Sequence, residues 1–292
     1  KASYGTPLSS SYQGVEMLEH PANGQGATAL FMLNIMKHFE LSNLNPFGAQ
    51  RAHIEAEISK LAYDARNRFI ADVDYTTRMS HMLAPETAAS LASLVDLKRA
   101  MANPSTAAEA VHKDTVYITV VDKDRMAVSL IYSIFHSFGS GIASDKYDIL
   151  FQNRGAGFTL EKGHPNELAG GKRPMHTIIP GMLAQNGQVT MPFGVMGGAY
   201  QPNGHARLLS NMLDFDLNIQ AAIDAPRSFY DNGVLKIERG YASEVHQRLA
   251  DMGHKIEIPE GPIGGAQAIV IGDDGILTGA SDPRKDGCAL GY

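Results

Sequence analysis

One cysteine, Cys288, stands in 292 residues. That excludes an intramolecular disulfide framework and any multi-cysteine zinc site. Base is not in excess either: 25 Lys and Arg against 31 Asp and Glu leave a net charge of −6. Without a basic surface, nucleic acid is not an expected partner. No apolar run approaches the roughly 20 residues of a membrane span, so no membrane partner is expected. The 11 histidines include no HExxH and no short pairing with acids, and most read as surface or internally satisfied, so no metal is expected. The glycine-rich "GVMGGAYQPNG" lacks the Lys-Ser/Thr of a phosphate loop and the GxGxxG spacing of a dinucleotide site. No organic cofactor is expected. The first residue is Lys1, with no apolar leader after it, which reads either as a trimmed end or as the continuation of a larger upstream part. A lone thiol is compatible with the cytosol. The compartment is left open, with the cytoplasm favoured over the periplasm.

What is present suits a globular protein: 44% hydrophobic and 19% charged residues. "QGVEMLE" (13–19) reads as a strand and "HPANGQG" (20–26) as a dense turn. A helix over about 26–39 is apolar nearly all round. In the next, Ile54, Ile58, Leu61, Ala62, Ala65 and Phe69 share one face, with Arg, Glu and Lys opposite. Residues 72–113, which include "ANPSTAAEA", have the composition of an exposed, mobile connector. Strands are expected near 115–122, 126–134, 148–152, 175–183, 188–195, 234–238, 267–272 and 276–280. Helices are expected near 203–213, 217–223 and 241–252. Hairpins with helices gathered after them predict an α+β fold of layered sheets covered by helices.

Two features could carry chemistry. The strand "TVYITVV" begins abruptly at Thr115, after Asp114. Asp-Thr is either turn chemistry ending a loop or a junction at which Thr115 becomes a chain terminus. Gly197 and Gly198 follow the strand "VTMPFGV". They are either a simple glycine turn or a pair of adjacent amides able to bind an oxyanion.

The blocks "PANGQG", "KLAYDARNRFIADVDY", "DTVYITVVDKDRMAVS", "FGSGI", "NRGAGF", "GKRP", "GVMGG" and "GASDPRKDGCALGY" occur in one order. Together they resemble the C-terminal two-thirds of the gamma-glutamyltransferase family, from about residue 10 to Tyr292. The resemblance implies a four-layer αββα N-terminal-nucleophile hydrolase, made as a precursor that cuts itself between Asp114 and Thr115. Residues 1–114 would then be the C-terminal part of a large-subunit segment, and 115–292 the small catalytic subunit. Missing is the upstream large-subunit segment with its carboxylate-binding arginine. A heterodimer of processed subunits, or a higher oligomer, would follow.

Residue by residue, the resemblance makes Thr115 the nucleophile and its freed α-amine the base. A threonine hydroxyl needs such a base beside it, and an α-amine has a reference pKa near ~8. Ser133 would hydrogen-bond the nucleophile, Gly197 and Gly198 would bind the oxyanion, and Asn153 would border the pocket. The departures bear on substrate. Val116-Tyr117 follow the nucleophile in place of Thr-His. Phe135 replaces an asparagine that helps hold the glutamyl group, Arg154 and Gly157 replace groups that grip its α-ammonium, and His176-Thr177 replace a serine pair. Arg154 would repel an ammonium and, with His176, suits a small anionic acyl group. This pattern is similar to the oxamate amidohydrolase branch. The expected activity is hydrolysis of a small anionic amide through an acyl-threonine. The alternatives are a gamma-glutamyltransferase or glutathione hydrolase, and a non-catalytic binding homologue.

Overall fold

In the computed structural model, which describes residues 3–102 and 113–292 (backbone alone at Lys113 and Asp114), the chain begins with a hairpin. Its strands are β1 (Leu8–Tyr12) and β2 (Val15–Glu19), joined through Gln13 and Gly14, both at positive φ. There follow α1 (Gly26–Met36), α2 (Ala49–Phe69), and the short α3 (Met79–Met82) and α4 (Pro85–Ala92). The next elements are β3 (Lys113–Val121), β4 (Ala127–His136), β5 (Pro180–Gln185), β6 (Gln188–Met196), α5 (Gln201–Leu213) and α6 (Ile219–Asp224). The chain ends with β7 (Ser228–Asp231), β8 (Val234–Ile237), α7 (Ser243–Asp251), β9 (Ile256–Glu257), β10 (Gly265–Ile271) and β11 (Leu277–Ser281).

A six-stranded antiparallel sheet in the order β1-β2-β5-β6-β10-β11 forms the middle. Alternation along β6 shows what covers each face. Phe193 and Val195 point to the helices, where Phe193 tilts against His205 and Val195 closes on Gly204 of α5. Gly194 and Met196 point the other way, onto Tyr117 of the β3–β4 ribbon. A side chain at Gly194 would strike the Tyr117 ring at 2.3 Å, so this glycine is what lets the two β layers close together. The order is helix, sheet, ribbon. These are three layers of the expected four-layer αββα sandwich.

The ribbon's outer face is apolar. Val116, Ile118, Val120, Val128, Leu130 and Tyr132 are 43–53% exposed, and no helix among the described residues lies over them. Burying such a face is what a fourth layer would do.

Several elements depart from the sequence reading. α1 stops at Met36 rather than 39, and β5 starts at Pro180 rather than 175. Residues 148–152 form no strand, only a bridge from Ala143 to Leu150. The "connector" from residue 72 contains α3 and α4, and α4 packs on α1. Most of "ANPSTAAEA" lies outside the described residues, so its expected mobility does too. The face of α2 that carries Arg, Glu and Lys opposite the apolar one is not left to water: Arg51, His53, Glu55, Glu57, Ser59, Lys60 and Arg66 are all buried. A second cluster explains this: Ala49, Ala52 and Ala56 pack under Leu235, Ile237, Tyr241 and Leu249 of β8 and the α7 region. The charges then pair with one another. Arg51 meets Glu55 at 2.9 Å, Glu55 also binds Arg207 of α5, and Lys60 meets Glu57 at 2.7 Å.

Candidate active site

The β3–β4 ribbon carries Thr115 to the junction of the two β layers. Inward positions alternate along it, and Thr115, Tyr117 and Thr119 face the sheet while Val116 and Ile118 face out. The register slips between Asp114 and Thr115: Asp114 pairs with Phe135, but Thr115 pairs with Ser133. A bulge of this kind bends the strand and re-aims a side chain. Here it sets two hydroxyls side by side, the Thr115 Oγ1 donating to Ser133 Oγ at 3.3 Å. Ser133 Oγ also accepts from the Phe135 N–H at 2.9 Å. Asp114 takes part through its backbone, and its side chain lies outside the described residues.

The ribbon runs along β6 toward the glycine turn. Ser129 Oγ donates to the Phe193 carbonyl at 3.1 Å, Tyr117 covers Gly194, and Tyr117 and Ile131 pack on Met196. Thr115 and Ser133 lie two residues further along the ribbon from Tyr117 and Ile131, in the direction in which β6 leads to Gly197 and Gly198. Gly197 has φ 124 and Gly198 φ 60, conformations that glycine adopts at no steric cost. At Gly197 a Cβ would also come within 2.9 Å of Gly264 Cα. From Gly198 a single 3-10 turn leads directly into α5. The first amides of such an element have no partners of their own within the helix, and they sit at its positive end. Adjacent amides so placed can stabilise a developing oxyanion.

Beyond Ser133, at the end of β4 and after it, come the residues expected to meet the substrate. Arg154 is buried, 4% exposed, with its guanidinium 5.0 Å from the Phe135 ring centre. Its Nη1 donates to Thr177 Oγ1 at 3.2 Å, while Nη2 is buried without a hydrogen-bond partner among the described residues. Burial pushes its pKa down to about 10. Phe135 holds φ 79, a strained conformation for an aromatic residue of the kind that clusters at ligand sites. His176 is also pushed down, to about 4, chiefly by burial and then by the Arg154 and Arg173 charges. Asn23 Nδ2 lies 2.7 Å from both the Pro174 carbonyl and His176 Nδ1. His176 Nδ1 also lies 2.8 Å from the Pro174 carbonyl, so a proton on Nδ1 would serve the carbonyl and a bare Nδ1 would serve the amide. Asn153 turns to β4, accepting from His136 N at 3.0 Å and meeting His136 Nδ1 at 2.9 Å. Gly157 lies beside Met175, whose carbonyl is 3.2 Å from where a Cβ would stand.

The gamma-glutamyltranspeptidase family model matches residues 1–292. The chain belongs to that family. It is 33% identical to the oxamate amidohydrolase proenzyme of Klebsiella pneumoniae over 98% of this chain and 55% of that one. It is 31% identical to the glutathione hydrolase-like YwrD proenzyme of Bacillus subtilis over 100% of this chain and 57% of the other. Among solved structures it is similar to the cephalosporin acylase from Bacillus halodurans, with TM-score 0.87 and 35% identity over 98% of this chain and 53% of that one. The chain thus spans about half the length of the relatives it matches. The fold is that of the N-terminal-nucleophile hydrolases, as the layer order implied.

Within this transpeptidase-family fold, two features escaped the sequence reading. The first is Gln25, fully buried at the entry to α1. Its Nε2 donates to the Thr177 carbonyl at 2.6 Å and the Gly198 carbonyl at 2.9 Å, so it joins Thr177 to the glycine turn. The partners are more than 150 positions away in sequence, and no local pattern could reveal them. The second is a buried group of His53, Glu57 and His254, which offers three ligand atoms within 4.8 Å of one another. Its geometry fits a hydrogen-bonded cluster better than a metal site. His53 Nδ1 lies 2.7 Å from His254 Nε2, and the Lys60 ammonium stands on the Glu57 carboxylate. His53 Nε2 meets the Asp96 carbonyl at 2.7 Å and must donate to it. One proton lies between His53 Nδ1 and His254 Nε2. Burial, reinforced by Lys60 and His53, pushes His254 down to about 3.

Proposed function

We propose that this chain is the catalytic part of a self-processing threonine amide hydrolase that acts on a small anionic amide. The observation that carries the substrate class is Arg154. A buried guanidinium with no carboxylate in an ion pair with it and one nitrogen unpartnered among the described residues is costly to the free protein. A substrate carboxylate would satisfy it with charge-assisted hydrogen bonds.

In processing, Thr115 Oγ attacks the Asp114 carbonyl, the C–N bond breaks, and the Asp114 acyl group passes to the threonine oxygen as an ester. The break of the C–N bond frees the Thr115 α-amine, and water then cleaves the ester to release the Asp114 carboxylate and the threonine hydroxyl. In turnover, Oγ attacks the amide carbon while that amine takes its proton. The Gly197 and Gly198 amides hold the oxyanion, and Ser133 orients the hydroxyl. On collapse the C–N bond breaks and ammonia leaves with the transferred proton. Water then hydrolyses the acyl-threonine and restores the hydroxyl.

A glutamyl donor carries an α-ammonium as well as a carboxylate. Beside Arg154 and Phe135 that ammonium meets no anionic partner among the described residues, at a cost of about several kcal/mol, or about a thousandfold in kcat/KM. The similarity to an oxamate amidohydrolase proenzyme supports the same reading. The test compares ammonia release from oxamate with glutamate release from gamma-glutamyl-p-nitroanilide and from glutathione, using the full-length processed protein. Oxamate should be faster. If the glutamyl compounds win by about tenfold or more, the anionic-amide reading falls and a glutathione hydrolase takes its place.

A further inference from the structure

We propose that Gln25 is a positioning residue that sets the oxyanion turn, with the buried Arg66 as its anchor. This rests on the reading of Gly197 and Gly198 as the oxyanion donors. Three successive carbonyls of the turn are held from the protein side. The Gly197 carbonyl accepts from Tyr200 N at 3.2 Å, that of Gly198 from Gln25 Nε2 at 2.9 Å, and that of Ala199 from the Tyr63 hydroxyl. A planar peptide joins each carbonyl to the N–H of the next residue, so the Gly197 carbonyl aims the Gly198 N–H, while the held Gly198 and Ala199 carbonyls fix the two peptides that follow and limit how Gly198 can turn. With two residues at positive φ, the turn has no side chains of its own to hold it, so its shape depends on these three contacts.

Every polar atom of the Gln25 side chain is engaged. Nε2 bridges Thr177 and Gly198, and Oε1 accepts from Arg66 Nη1 at 2.9 Å. Arg66 stacks over Tyr63 at 4.5 Å and binds Asn67 Oδ1 through Nε and Nη2 at 3.0 and 2.8 Å. Burial pushes its pKa down, and no carboxylate among the described residues forms an ion pair with it. A cation on Oε1 polarises the amide and strengthens its N–H donors. It also fixes which end of the amide is oxygen, since the reverse orientation would set two donors face to face. Tyr63 and Arg66 lie three residues apart on one face of α2, so that helix reaches the turn directly through Tyr63 and indirectly through Gln25.

The experiment uses the full-length protein with oxamate as substrate, reading kcat, KM, melting temperature and the fraction cleaved at Thr115. Gln25→Met keeps length and apolarity but removes all three hydrogen bonds. It should lower kcat about 10- to 100-fold while KM stays within about threefold, because the loss falls on the transition state. In a Gly198→Ala background, where the turn is already displaced, the same change should cost less than about threefold more, since residues acting through one element are not additive. Should Gln25→Met not fold, Tyr63→Phe tests the same idea from Ala199, with a smaller fall in kcat and unchanged KM. Normal kcat in the folded variants, or losses that multiply fully with Gly198→Ala, would overturn the proposal. Failure of the underlying reading looks different: Thr115→Ala would then retain turnover. If Thr115→Ala and Gly198→Ala are inactive while Gln25→Met and Tyr63→Phe behave as wild type, only the role of Gln25 is lost.

Discussion

Arg154→Gln distinguishes a guanidinium kept for substrate from one kept for the fold. In the free protein the charge gains little. It makes one hydrogen bond to Thr177 at 3.2 Å and a contact with the Phe135 ring at 5.0 Å, worth roughly 1 kcal/mol each. Against this stands its desolvation, which the lowered pKa of about 10 reflects. The two offset, so the variant should melt within a few degrees of wild type, a degree or so either way being about a few tenths of a kcal/mol. With substrate bound, the free Nη2 would make a charge-assisted bond worth about 1.5–3 kcal/mol. Its loss should reduce kcat/KM for oxamate by roughly 10- to 150-fold. Most of that should fall on KM, because a carboxylate remote from the reacting bond is held equally in the ground and transition states. Steady-state ammonia release and thermal melting with and without oxamate would read both quantities. A melting point lowered by about 10 °C with unchanged KM would mean that Arg154 serves packing, and the reasoning would be refuted.

Thr115→Val keeps nearly the same shape without the hydroxyl, and should neither self-cleave nor turn over substrate. Thr115→Ser should retain part of both, with the smaller chain beginning Ser-Val-Tyr-Ile on sequencing; equal behaviour of the two variants would reduce Thr115 to a packing residue. Acid stability offers an independent check, because His176 and His254 are held neutral in the fold, at about 4 and about 3. Below the ordinary value near ~6.5 the unfolded chain takes up their protons first. Their contribution is therefore intact above about 6.5 and is lost as pH falls toward 4 and 3. At about 1.4 kcal/mol per unit, the upper bounds are about 3 and 5 kcal/mol. His254→Asn should flatten the fall in urea midpoint below about pH 6.5, and a slope identical to wild type would show that this histidine is not buried neutral.

How much of this was legible in the sequence depends on how local the cause is. The 3.6-residue spacing of Ile54, Ile58, Leu61 and Phe69 located α2 to within a residue at each end, because periodicity is written in neighbouring positions. The same spacing does not tell what covers the opposite face. An Arg-Glu-Lys face means water only if nothing covers it, and here Ala49, Ala52 and Ala56 admit a second cluster that brings charge against charge. β1, "LSSSY", escaped notice since serines hide its period of two, and its register is set by pairing with β2. At the site, Thr115 and the glycine pair stood out because each breaks a local pattern: a strand that starts abruptly, and a strand that ends in two residues without side chains. What those residues need from elsewhere was invisible. The bulge that pairs Thr115 with Ser133 is a property of two strands, and the burial of Arg154 against Phe135 and Thr177 is a property of segments distant in sequence. Gln25 sits in a stretch whose composition says only "turn", yet its amide spans the Thr177 and Gly198 carbonyls at once. Reactive groups announce themselves by residue type. The groups that aim them are ordinary residues whose roles exist only once distant segments are in contact.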